Sequence, residues 1–336
     1  MKVLIIANAR YKGGLSGSDA IYENFKKHWP CEVVVHEMQQ VDYSPFVVCY
    51  CQRIVLGIAR ACMDFNRYDF IYSASDFMPD ALPALVYRLK GNKWIAGYFL
   101  HAFRDNPIHY YTQKVVRRLI KWFADMVIVT NPTMYPIFPD KKKTWINGGI
   151  DLSLAGISDK PKIYDAVFCG RIHPSKGIDE LLEIWELVRE TKPDARLAII
   201  GDGDLGVEYI EHKLFAKHGL KKYNGIDLLG YMGNERFEVY KQSKVVLYPT
   251  PLKYDHFSMA PVEAMACGCQ AAFFRTPVVD AIRPHGAYCC ETIKDFAEAI
   301  LEDDGGFGAA LGWEWAQQFD YKDQALRVCE DIQGAL

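Results

Sequence analysis

Two short stretches in the second half of the chain hold the residues best suited to chemistry. In Gly170-Arg-Ile-His-Pro-Ser-Lys-Gly177, Arg171 and Lys176 stand five positions apart on a turn between an apolar strand and a helix. Arginine offers a planar fork of donors and lysine a compact point charge, and both suit a diphosphate. Between Tyr248 and Ala271, two acids, Asp255 and Glu263, flank Ser258-Met-Ala-Pro261. Pro261 suits the first turn of a helix, where a missing N–H costs little, and Ser258 is placed to cap it. Such a helix start presents N–H groups and a partial positive charge, again a match for phosphate. A third stretch, Ala9 to Asp19, sets Gly13, Gly14 and Gly17 between a strand and a helix expected to begin near Ala20. Glycine there lets a ligand approach the backbone, although a plain strand-to-helix turn has the same composition.

The elements that must position these groups follow from the apolar runs. Strands are expected at 2–8, 31–37, 68–74, 93–100, 126–130, 165–169, 196–200, 227–230, 244–248 and 271–274. Helices are expected at 45–65, 79–90, 115–125, from 178, at 293–301 and within 313–336, with 277–280 a loop. Regular alternation of strand and helix implies doubly wound parallel α/β sheets, whose ligands sit beyond the carboxyl ends of the strands. His101 falls at one such end. A chain of 336 residues suits two domains of roughly 150 residues each. One further run, Gly201-Asp-Gly-Asp-Leu-Gly206, has the literal G-x-G-x-x-G spacing. A dinucleotide site wants an acid at the end of the next strand. Here Asp227 opens that strand instead, which speaks against this use.

Apolar content of 50% and charged content of 24% describe an ordinary globular chain. Met1-Lys2 leads directly into a strand, so no signal peptide is expected. The apolar region 46–65 is interrupted by Arg53 and Arg60, so no membrane-spanning helix is expected either. Ten cysteines form no C-x-x-C pair, which fits reduced thiols in a cytoplasmic protein and supplies no metal motif. The net charge of −3 hides an asymmetry: residues 1–147 hold 19 Lys and Arg against 12 Asp and Glu, and the remainder holds 20 against 30. Different partners for the two halves are implied. Val115 to Asp125, VVRRLIKWFAD, concentrates Arg117, Arg118 and Lys121 behind Lys114, and Lys141-Lys-Lys143 adds to the same half. Either these cations solvate a helix whose Val115, Leu119 and Trp122 pack inward, or they touch an anionic membrane surface. No nucleic-acid partner is expected.

Taken together, these stretches resemble the retaining nucleotide-sugar glycosyltransferases of the GT-B fold, the large E-x7-E family that includes bacterial lipid and polysaccharide glycosyltransferases. Glu263-Ala-Met-Ala-Cys-Gly268 is similar to the second half of that family's EGFGLPxxEAMACG text. Asp255, His256 and Ser258 depart from its first Glu and the two glycines. The Gly170–Gly177 turn and Asn147-Gly-Gly-Ile-Asp151 also match, so the resemblance spans nearly the whole chain. It implies two Rossmann-like doubly wound domains facing across a cleft. The first, 1–147, would lie on the acceptor side and regain the last helix, about 317–336. The second, 148–316, would bind the donor.

The resemblance also implies roles. Arg171 and Lys176 would face the leaving diphosphate, with N–H groups near Ser258, Met259 and Ala260. Glu263 would accept from ribose hydroxyls and Asp255 from donor-sugar hydroxyls. The backbone at Tyr231 and Met232 would face the base. Gly13 and Gly14 would touch donor phosphate or acceptor, His101 would orient the donor sugar, and the Gly201 run would be a structural turn. The expected activity is hexosyl transfer from a nucleotide-diphosphate sugar to an acceptor hydroxyl with retention of configuration, in glycan or glycolipid assembly. The expected acceptor is a glycan or a lipid-linked molecule. No metal and no cofactor are expected, since the leaving phosphate itself would take the acceptor proton. The protein would be cytoplasmic, with peripheral contact at the membrane face. An epimerase of the same fold, or a non-catalytic nucleotide- or sugar-binding protein, is the alternative; acceptor-dependent release of nucleoside diphosphate separates the three.

Overall fold

The structure is a computed structural model that describes residues 1–8, 17–38, 46–99, 107–147, 149–203, 208–213, 225–254, 258–302 and 306–335. Gly13, Gly14, His101 and Asp255 lie outside the described residues. The chain forms two compact units, Met1–Gly149 with Tyr321–Leu336, and Ile150–Asp320.

The first unit is built on six parallel strands: β1 (Lys2–Ala7), β2 (Glu32–Glu37), β3 (Phe70–Ser73), β4 (Lys93–Tyr98), β5 (Met126–Val129) and β6 (Lys142–Trp145). Their spatial order is β2-β1-β3-β4-β5-β6. A parallel strand between two helical layers must be apolar on both sides, and the KVLIIA text of β1 is. Val3, Ile5 and Ala7 pack toward α1 (Gly17–His28) and the last helix of the chain, α12 (Tyr321–Ala335). Leu4 and Ile6 pack toward α2 (Phe46–Met63), α3 (Met78–Leu89) and α4 (Pro107–Phe123). α12 is fixed by Trp29, whose Nε1 donates to the Ala325 carbonyl at 2.9 Å, and by burial of Val328 and Ile332. α1 begins at Gly17, ahead of the expected Ala20, which puts Asp19 in its first turn, favourable to the helix dipole.

Several of the basic residues turn out to serve the fold. Lys90 Nζ donates to the carbonyls of Ala61, Cys62 and Asp64, closing the end of α2. Lys141 Nζ donates to the Ala124 carbonyl just past α4, at 2.6 Å. Lys142 reaches the Ala335 carbonyl, and Lys143 those of Phe138 and Pro139. Helix C-termini leave carbonyls unpaired, and a lysine is well suited to them. The Lys141–Lys143 run, read above as part of a basic surface, therefore lies on and beside edge strand β6 and is engaged with backbone oxygens.

The second unit repeats the plan with β7 (Tyr164–Cys169), β8 (Leu197–Ile200), β9 (Ile226–Gly230), β10 (Ser243–Tyr248), β11 (Gln270–Phe274) and β12 (Tyr288–Cys290). All are parallel, in the order β12-β11-β10-β7-β8-β9. The helices are α5 (Ile178–Thr191), α6 (described over 208–213), α7 (Arg236–Lys241), α8 (Met259–Ala266), α9 (Pro277–Ile282), α10 (Ile293–Glu302) and α11 (Phe307–Ala316). On one face Phe168, Leu197, Ile199 and Val245 bury against Leu181 and Trp185 of α5 and Phe296 of α10. One expectation is corrected: 277–280 is helical, not a loop. The Thr276 hydroxyl accepts from the Val279 N–H at 3.1 Å, and Pro277 takes the first helical position, a start signal that was present in the text.

Candidate functional site

In an open α/β sheet, ligands bind beyond the carboxyl ends of the strands, where the strand order reverses. In the second unit that point lies between β7 and β10. The two stretches singled out from the sequence are the loops that leave these strands. Arg171 and Lys176 follow β7, and Ser258 to Glu263 follow β10.

The β7 turn is a built structure. His173 is extended, and its Nδ1 accepts from the Ser175 N–H at 3.1 Å, with Pro174 opening a short 3-10 turn that ends at Lys176. Gly177 then takes a left-handed conformation, φ 74°, and starts α5. A Cβ on Gly177 would lie 1.9 Å from the Pro249 carbonyl oxygen at the end of β10. Only glycine lets the two loops meet so closely. Lys176 Nζ sits 5.8 Å from the Tyr248 ring centroid, a second link to β10. Burial first, and the Arg171 charge second, push the Lys176 ammonium down to about 8. Arg171 is exposed. Two cations on one turn, one of them lowered by burial and by the other's charge, make a place where a polyanion is favoured.

Gly201 and Gly203 close the other side of this turn. Gly201 has φ 137°, and a Cβ there would lie 1.9 Å from the Gly170 carbonyl oxygen; one on Gly203 would lie 2.9 Å from that of Ile172. These two glycines of the G-x-G-x-x-G run make room for neighbouring backbone, and Gly206 lies outside the described residues.

Ser258 occupies the N-cap position of α8 with extended backbone angles, but its side chain makes no cap bond. The N–H groups of Met259 and Ala260 thus open the helix without a serine oxygen on them. Glu263 is 9% exposed, one turn further in. It is held by a residue that the sequence reading passed over. Arg236 of α7 donates from Nε to Oε2 at 2.8 Å and from Nη2 to Oε1 at 2.7 Å. Its Nη1 donates to the Gly233 carbonyl at 2.6 Å. Arg236 thereby ties the acid on α8 to the turn that carries Tyr231, 81% exposed, and the half-buried Met232. Nothing local marks Arg236, because its partner lies 27 positions away.

In the first unit the order reverses between β1 and β3. A polar cluster that the sequence reading missed stands there. The Asn8 N–H donates to Asp80 Oδ1 at 2.6 Å, and the Ser75 hydroxyl donates to the other oxygen. Asp76 accepts from the Gln113 amide, and burial pushes its carboxyl up to about 6. The available signal was Ser73-Ala-Ser-Asp76, polar side chains where an apolar strand ends. On α4, Val116 and Ile120 are buried and Leu119 packs partly against the same core, as expected, whereas Val115 and Trp122 are exposed, which corrects the expectation for those two. Arg117 is half-buried near Tyr98, whereas Arg118 and Lys121 are exposed.

Residues 164–302, all within the second unit, match the family model described as glycosyl transferases group 1. This stretch is similar to the group 1 glycosyltransferases. No curated protein matches the sequence significantly. Among solved structures, Anabaena HepE in complex with UDP-glucose superposes with a TM-score of 0.70 at 18% identity, covering 100% of both chains. Sucrose-phosphate synthase of Thermosynechococcus elongatus gives 0.74 at 17% identity, covering 99% of this chain and 98% of that one. The stretch similar to that family thus sits within a two-unit α/β fold of the GT-B type.

Proposed function

We propose that the protein is a retaining glycosyltransferase that takes a hexose from a UDP-sugar. The observation that carries this is the junction of the Arg171–Lys176 turn with the end of β10, at the strand-order reversal of the unit similar to group 1 glycosyltransferases. HepE, of like fold, was solved with UDP-glucose, which favours uridine as the base. In the reaction the bond from the anomeric carbon to the β-phosphate oxygen breaks, and a bond to the acceptor oxygen forms on the same face. Negative charge gathers on the leaving diphosphate. Fixed donors at that point stabilise the transition state, and Arg171, Lys176 and the N–H groups of Met259 and Ala260 are suited to supply them. The acceptor proton passes to the leaving phosphate, so no side-chain base and no metal is needed. Asp255 would hold sugar hydroxyls, His101 would orient the sugar, Gly13 and Gly14 would border the phosphate, and Glu263 would accept from the ribose. The acceptor would be a glycan or a lipid-linked molecule at the cytoplasmic membrane face, a reading supported by the outward Arg118, Lys121 and Trp122 of α4.

A thermal-shift panel of UDP-, GDP- and ADP-sugars identifies the donor, and assays of released nucleoside diphosphate with candidate acceptors follow. Release that needs the acceptor, survives EDTA and gives a product of unchanged anomeric configuration is expected. Interconversion of the donor sugar without release would make the protein an epimerase. Binding with neither would make it a non-catalytic receptor. Loss of activity on chelation, restored by manganese, would replace this mechanism.

A further inference from the structure

One face of the first sheet is covered by α2, α3 and α4, packed side by side. Its outward side is apolar. On α2, Val47, Val48, Val55, Leu56 and Met63 are each 50–70% exposed, and Phe65 just beyond is 88% exposed. On α4, Tyr111, Val115 and Trp122 are exposed, Trp122 at 71%. Charge on this layer has one sign. The three helices hold seven Lys and Arg and a single acid, Asp80, which is buried. The opposite layer, α1 and α12, differs in both respects. It holds four Lys and Arg against five Asp and Glu, and no large apolar side chain is exposed on it among the described residues.

So many exposed large apolar side chains on one helical layer mark an interaction site. Apolar side chains interleaved with cations and free of acids complement anionic headgroups above acyl chains. A second copy of the chain fits poorly, because the same face would set the exposed Arg60, Arg118 and Lys121 against their own copies, with no exposed acid on these helices to meet them. Among the described residues no helix is long and apolar enough to cross a membrane, so the contact would be peripheral. We propose that this unit docks on an anionic lipid bilayer through the outward faces of α2 and α4. The α2 stripe enters the headgroup region, while Arg60, Arg118 and Lys121 meet lipid phosphates. The proposal deepens the membrane-face reading of the acceptor, but it rests on this surface alone, and its test uses no transfer reaction.

The test is co-sedimentation of the full chain with vesicles of phosphatidylcholine, or of phosphatidylcholine with phosphatidylglycerol, at low and high salt. Wild type is expected to pellet with the anionic vesicles at low salt and to be largely released at high salt. Val55→Asp/Leu56→Asp and Arg118→Glu/Lys121→Glu should each weaken partition by about tenfold or more. Thermal midpoints should hold, because all four side chains are exposed. Wild type remaining in the supernatant, or variants pelleting like wild type, would overturn the proposal. So would a dimer in sedimentation equilibrium that Val55→Asp/Leu56→Asp dissolves, since the face would then serve self-association.

Discussion

Lys176 carries a prediction that depends on pH. Its ammonium is lowered from 10.5 to about 8, so its charge is nearly complete well below pH 8, half lost near it and absent well above. Affinity of the free protein for UDP should therefore fall as pH rises through about 8. The stability effect has the opposite sign. The folded state disfavours the proton that the unfolded chain keeps up to 10.5, so this group's contribution to stability rises between those values. Arg171→Ala removes the second cause of the shift and should move the inflection upward, and Arg171→Ala and Lys176→Ala should each cut turnover about 10²–10³-fold. Calorimetric titration of UDP from pH 6.5 to 9.5 checks this; an affinity indifferent to pH would sink the assignment. Arg236 asks for a different experiment. Arg236→Met strands a buried carboxylate and should cost on the order of 3 kcal/mol. Arg236→Met/Glu263→Met should recover most of that stability but not UDP affinity, which isolates the pair's energetics from its ligand role. Arg171, Lys176 and Glu263 were legible in the sequence because unusual residue types sat on glycine- and proline-bounded turns. Arg236 and Asp76 were not, because what singles them out is a neighbour brought by the fold: Glu263 in one case, Gln113 in the other.

At the scale of elements, the long interior strands and helices could be read from apolar runs, and the short peripheral ones could not. β6 begins with two lysines and β12 has three residues, YCC. Edge strands need neither length nor continuous apolar text, and charge on them discourages pairing with other chains. α7 is only six residues, RFEVYK, too short to show a helical period. The contact between the β7 turn and the end of β10 carries the prediction here. Gly177→Ala must place a methyl 1.9 Å from the Pro249 oxygen at a φ of 74°. The two loops would have to part, at a cost of roughly 2 kcal/mol or more. UDP affinity should fall although Arg171, Lys176 and Glu263 are all intact. Urea unfolding and UDP titration of the variant check both halves; wild-type affinity would mean that the two loops bind independently.

For the whole molecule, the fold class followed from strand and helix alternation, and the expectation of two domains from chain length. The polarity of the first unit did not, because a net surplus of positive charge does not say which helices share a face. Nor did it show that Lys90 and Lys141 would be engaged on helix ends while Arg118 and Lys121 remained outside. The second unit interrupts the first in sequence, since α12 completes the core begun by α1 and β1. Four apolar α12 side chains, Ala325, Val328, Cys329 and Ile332, are buried there. Burial of the larger ones is worth about 1.5–3 kcal/mol each, comparable in sum to the margin of a typical domain. A chain ending at Asp320 should therefore lose protease resistance in residues 1–149 while residues 150–320 keep theirs, as limited digestion followed by mass spectrometry would show. The same arrangement sets a timetable for biosynthesis. A nascent chain meets the ribosome exit with Phe25, Trp29 and Phe70 already made but with no α12 to cover them. The second unit can finish folding first, while the earliest-made segment waits for the last. During translation, the half most in need of a chaperone is the one that was synthesised first.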